Sequence, residues 1–89
     1  MPKPVEIWAV SARVQKPRGD YVEIKDFWTK SKEQAMRKAK EFLAFFKRRG
    51  YRVTEEVEDK EENTMTWYLE REEGGKKLRA MVNLIGVPF

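Results

Sequence analysis

Gly74-Gly75, set between Glu73 and Lys76, constrains this chain more than any other feature. A two-residue hairpin turn of type I′ needs positive φ at both central positions, and glycine adopts it without steric cost. Such a turn holds the flanking segments, 64–73 and 76–85, in one register. In that register Trp67 faces Val82, Leu69 faces Ala80 and Met65 faces Leu84. On the opposite side Glu70 meets Arg79, Glu72 meets Lys77 and Tyr68 meets Met81. Turn chemistry, hydrophobic alternation and charge pairing agree, so the spacing predicts a hairpin with Trp67 in the core.

The same reasoning extends toward the N-terminus. Val5 to Val14 and Tyr21 to Thr29 read as strands joined by the turn residues Pro17, Arg18, Gly19 and Asp20. Opposing Val14 with Val22 sets Ala12 against Ile24 and Trp8 against Trp28, with Arg13 beside Glu23 on the other face. Ser31-Lys32-Glu33-Gln34 is a capping box that opens a helix over about residues 32–49. Ala35, Met36, Ala39, Phe42, Leu43 and Phe46 recur on one helical face. Lys47, Arg48 and Arg49 complement the negative end of the helix dipole, and Gly50 supplies the left-handed stop. Phe45 falls outside the apolar stripe and is expected to cap the sheet edge or meet a partner. Tyr51 to Glu58 reads as a further strand, pairing Val53 with Leu69 and Val57 with Met65. Arg52, Glu70 and Arg79 then form a ladder across three strands.

These elements predict a single α+β domain over 1–89 in the order ββαβββ: a five-stranded antiparallel sheet with one helix packed on one face. Glu55 falls on the helix-facing side of its strand, which a sheet edge tolerates and a centre does not. The third strand is therefore expected outermost, in the spatial order 2-1-5-4-3. The apolar tail Leu84-Ile85-Gly86-Val87-Pro88-Phe89 is expected to dock, on its own sheet or across a dimer interface.

Composition narrows the chemistry. The 89 residues include no histidine and no cysteine, which removes the usual triads, zinc sites and thiol nucleophiles. An enzyme, a metal site and a cofactor are accordingly not expected. The absence of cysteine fits a cytoplasmic protein. Met1-Pro2-Lys3-Pro4 lacks the apolar core of a secretory signal, and no run approaches a membrane span. Charged residues make up 38%, with only Gln15, Gln34, Asn63 and Asn83 as amides. That composition suits a thermophilic source, and equally a small domain with a large surface-to-volume ratio.

The net charge of +4 is unevenly spread. From Lys30 to Gly50 eight basic residues stand against two acidic, and from Tyr51 to Gly75 three stand against nine. The basic stretch includes Arg37 and Arg48 on the outer helix face, where they are able to contact phosphates. The acidic stretch suits solubility and protection of an edge strand. The registers above set Ile7, Tyr21, Phe27, Tyr68, Met81 and Ile85 on the sheet face the helix leaves open. Arg13, Lys25, Arg52 and Arg79 lie among them. Rings interleaved with cations on an open sheet suit the stacking of single-stranded DNA or RNA bases. The candidate nucleic-acid site is thus Tyr21, Lys25, Phe27, Arg13, Arg52, Tyr68 and Arg79, with Arg37 and Arg48. The alternative is a protein-interaction module, a small inhibitor or adaptor, that forms a homodimer through the same face.

Overall fold

The computed structural model describes residues 5–88. Two strands, β1 (Ile7–Gln15) and β2 (Tyr21–Thr29), precede α1 (Lys32–Lys47). Three more follow: β3 (Arg52–Asp59), β4 (Thr64–Glu73) and β5 (Lys76–Val87). All five strands form one open antiparallel sheet in the order β2-β1-β5-β4-β3, with the helix on one face. This is the expected α+β fold, strand order included.

Local chemistry explains the element boundaries. Gly74 and Gly75 have φ of 58° and 79°, and the β4–β5 register is the one that turn imposes, with Trp67 opposite Val82. The Ser31 hydroxyl accepts the Gln34 N–H at 3.2 Å. The return half of the cap is relayed: the Thr29 hydroxyl accepts the Ser31 N–H and donates to Gln34 Oε1. At the other end Gly50 takes φ 89°, and Arg71 donates from β4 to the Arg49 carbonyl at 3.1 Å. That bond serves one of the orphan carbonyls that end a helix.

The core lies between α1 and the middle of the sheet. Phe42 and Phe46 from the helix meet Trp8, Val10, Trp67, Leu69, Val82 and Leu84. Ala35 and Ala39 on the helix, with Ala12 and Ala80 on the sheet, are fully buried. Side chains this small let the helix backbone lie close on β1 and β5. Phe45 joins the rim of this core, edge-on to Phe46 with ring centroids 5.4 Å apart. It is the sheet cap that was one of its two expected roles.

The tail docks on its own sheet as far as Val87, in register with Ile7 of β1, while Phe89 and the Met1–Pro4 segment lie outside the described residues. Gly86 is needed there. A Cβ at that position would stand 3.0 Å from the Trp8 ring, 2.8 Å from Val5 Cγ2 and 3.0 Å from Asn63 Cβ. Gly86→Ala should cost about 1–3 kcal/mol through overpacking, measured by urea unfolding. A loss below about 0.5 kcal/mol would mean that the Trp8 ring gives way freely.

Two β-bulges correct the sequence-based registers. In β2 Arg13 faces Glu23 as expected, but Ala12 faces Lys25, so Ile24 is an extra residue. Trp8 then opposes Thr29 rather than Trp28, and every β2 residue after Ile24 changes face. A regular register would have set Asp26 against Val10, which is fully buried. The bulge instead sets Phe27 there and Asp26 against Ser11 on the open side. The place opposite Val10 is half-buried against the core, where a ring gains apolar contacts and a carboxylate would lose hydration, so the shift is favoured.

In β3 the register slips between Val53 and Glu55. The Thr54 hydroxyl, at the extra residue, donates to the Tyr68 carbonyl at 3.3 Å. Val57 therefore pairs with Thr66, not Met65. Glu55 lies on the open face opposite Tyr68, while Glu56 and Glu58 turn to the helix side. The argument that put β3 at the edge holds for Glu56 and Glu58 instead of Glu55. The helix packs over β2, β1 and β5, and all eight β3 residues are exposed.

Candidate functional site

The bulges decide which candidate residues share a surface. On the uncovered sheet face the register aligns Tyr21 with Gln15, and Glu23 with Arg13, Met81, Tyr68 and Glu55. A second row runs Asp26, Ser11, Asn83, Thr66 and Val57, where the Thr66 hydroxyl bonds Asn83 Oδ1 at 2.9 Å. A third runs Trp28, Ala9, Ile85, Thr64 and Asp59. At one end Arg79, Glu70 and Arg52 form the expected ladder, with Arg79 Nε 3.4 Å from Glu70. Tyr21, Arg13, Arg52, Tyr68 and Arg79 are therefore together on one face.

Lys25 and Phe27 are not on it. Phe27 packs against the core with the Lys38 ammonium 4.8 Å from its ring centre. The Lys25 ammonium sits 4.3 Å from the Phe45 ring, which Arg49 also covers at 3.6 Å. The cause is the extra Ile24, which turns both residues to the helix side. Lys25 and Arg48 meet instead in a cleft of about 360 Å³, beside Lys38, Glu41 and Phe45. Lys38 is paired there with Glu41 at 2.9 Å. Arg37 is exposed on the helix, 3.9 Å from Glu33. The nine candidates thus divide into two groups, separated by the thickness of the sheet and the helix.

Sequence reasoning missed Trp28, which it assigned to the core. The structure leaves it 58% exposed on the open face. Its signal was Asp26: a carboxylate in phase with the apolar residues of an inner strand implies a register shift before it. Val57, 44% exposed, reaches the same face through the β3 bulge.

Electrostatically the open face is negative on balance. Arg13 faces Glu23, Arg52 and Arg79 flank Glu70, and Asp26, Glu55 and Asp59 add further negative charge. Any affinity for a polyanion there must come from its rings more than from net charge. Among the described residues no cluster of acidic side chains is arranged to hold a metal ion. No helix among them is long and apolar enough to cross a membrane. Comparisons with protein-family models, with curated proteins and with solved structures find no match to this chain.

Proposed function

We propose that this protein binds single-stranded nucleic acid on the sheet face opposite its helix. The observation that carries the reading is the set of rings on that face: Tyr21, Tyr68 and Trp28, the last 58% exposed, with no element packed over them among the described residues. A large ring left in water forgoes about 25 cal/mol per Å² of apolar surface, which stacking against a base recovers. Arg13, Arg52 and Arg79 stand between the rings and supply donors for phosphate or base edges. Bases stack without regard to sequence, so the binding is expected to be sequence-tolerant.

The test is a fluorescence titration with an oligodeoxythymidine of roughly 12 nucleotides. Trp8 and Trp67 are buried, so quenching on binding should come from Trp28 and vanish in Trp28→Phe. Absence of any binding at low salt, where polyanion affinity is greatest, would end the reading.

One observation favours a second reading. Trp28, Ala9 and Ile85 form an apolar row, and Ile7 and Val87 lie together at the same end of the sheet. A second copy of the chain would cover such a row and give a homodimer. Sedimentation at micromolar concentration separates the two. A dimer broken by Trp28→Ala supports the second reading, and a monomer leaves the face free for a strand.

A further inference from the structure

The open face has the rings but no net positive charge, so a bound strand needs its phosphates neutralised nearby. The lengths of β1 and β5 create a place for that. The β1–β5 register ends at Val14 opposite Ala80, while β5 continues as Lys76–Arg79, paired only with β4. The missing neighbour leaves a gap between this overhang and the β1–β2 turn. That turn curls on itself, with the Lys16 N–H bonded to the Asp20 carbonyl and the Gly19 N–H to the Lys16 carbonyl. The result is a groove of about 590 Å³ lined by Lys16, Lys76, Lys77 and Arg79, with Gln15, Pro17 and Gly19, and with no carboxylate in its wall among the described residues.

The cations of this groove differ from those on the helix side. Lys25, Lys38 and Arg49 lie over the rings of Phe45 and Phe27. Among the described residues Lys16, Lys76 and Lys77 have no ion pair within 4.0 Å. The nearest carboxylates by register are Glu73 and Glu72, opposite Lys76 and Lys77, and Glu70, opposite Arg79. Glu73 is drawn to Arg71 at 2.9 Å and Glu70 to Arg79 at 3.4 Å. The groove also opens onto the proposed face, because Gln15 in its wall lies beside Tyr21 and Arg79 is a rung of the ladder.

We infer that this groove holds linked phosphate groups. On the reading proposed above, they belong to the backbone of the strand whose bases stack on Tyr21, Tyr68 and Trp28. The groove thus supplies the salt-dependent part of the affinity and the face supplies the stacking.

The experiment follows anisotropy of a fluorescein-labelled oligodeoxythymidine across a salt series. It compares the parent with Lys16→Gln/Lys76→Gln/Lys77→Gln and with Arg37→Gln/Arg48→Gln. All five replaced side chains are exposed, and a thermal melt confirms that each variant folds. Each single-strand phosphate contact contributes about 0.7 to the slope of log K against log salt, so the triple variant should lose about 2. The helix variant should keep the parental slope. An unchanged slope in the triple variant, with binding still weakened by Tyr68→Ala, overturns the groove and leaves the stacking face standing. A slope lost only in the helix variant also overturns it. If the parent binds no oligonucleotide, the stacking face fails, and tripolyphosphate becomes the probe. Calorimetric binding abolished in the triple variant then supports the groove as a phosphate site, and no binding by the parent overturns it.

Discussion

Phe46→Ala should lower the unfolding free energy of this domain by about 3–5 kcal/mol, the cost of emptying a fully packed aromatic site. The Phe46 side chain is 1% exposed, lies edge-on to Phe45 and Tyr51, and joins the helix to the sheet. Its carbonyl also accepts the N–H groups of Arg49 and Tyr51, so the helix terminus is built around this residue. A chain of this length holds roughly 4–13 kcal/mol in total. The substitution therefore consumes a large share, and the melting midpoint should fall by at least about 12 °C. Thermal and urea melts followed by circular dichroism would measure it. A loss under about 1 kcal/mol would mean that the core does not centre on this ring.

The second large effect concerns binding. Trp28→Ala with Tyr68→Ala should weaken oligonucleotide affinity by about 2–6 kcal/mol, since each stacked base contributes about 1–3. That is a loss of roughly 30-fold to 10⁴-fold. The salt slope should hold, because neither side chain contacts a phosphate. Stability should change little at Trp28, which is mostly in water already. Phe27→Ala should behave in the opposite way, reducing stability through its core contacts and leaving affinity intact. The neighbouring pair thus tests the β2 bulge and the binding face together. Parental affinity in the double variant would remove the stacking surface, and a stable but non-binding Phe27→Ala would reverse the assignment of faces.

The candidate site was legible in part, and its errors share one origin. Tyr21, Arg13, Arg52, Tyr68 and Arg79 lie on the open face as expected because each lies in a segment whose register a turn or a charge pair controls locally. Lys25 and Phe27 lie beyond Ile24, where the alternation rule still counts residues but the strand has gained one. The groove of Lys16, Lys76 and Lys77 was invisible for another reason. It exists only because β5 overruns β1, and strand ends are set by pairing across the sheet rather than by either strand's composition.

Whatever short-range chemistry controls was legible along the chain. The Gly74-Gly75 turn brought its hairpin with it, Ser31 and Gly50 bounded the helix, and the apolar stripe chose the face that it buries. From these followed the ββαβββ order, while the strand order rested on a carboxylate marking β3 as an edge, a role that Glu56 and Glu58 fill in place of Glu55. The positions of the two bulges emerge only from packing across the fold, because their benefit arises at a distance. Asp26 would be covered only once the helix lies over Val10, and Glu56 and Glu58 turn to the helix side without burial only because the helix stops short of β3. A one-residue slip costs little locally and exchanges every side chain beyond it between core and water, so long-range burial makes the choice.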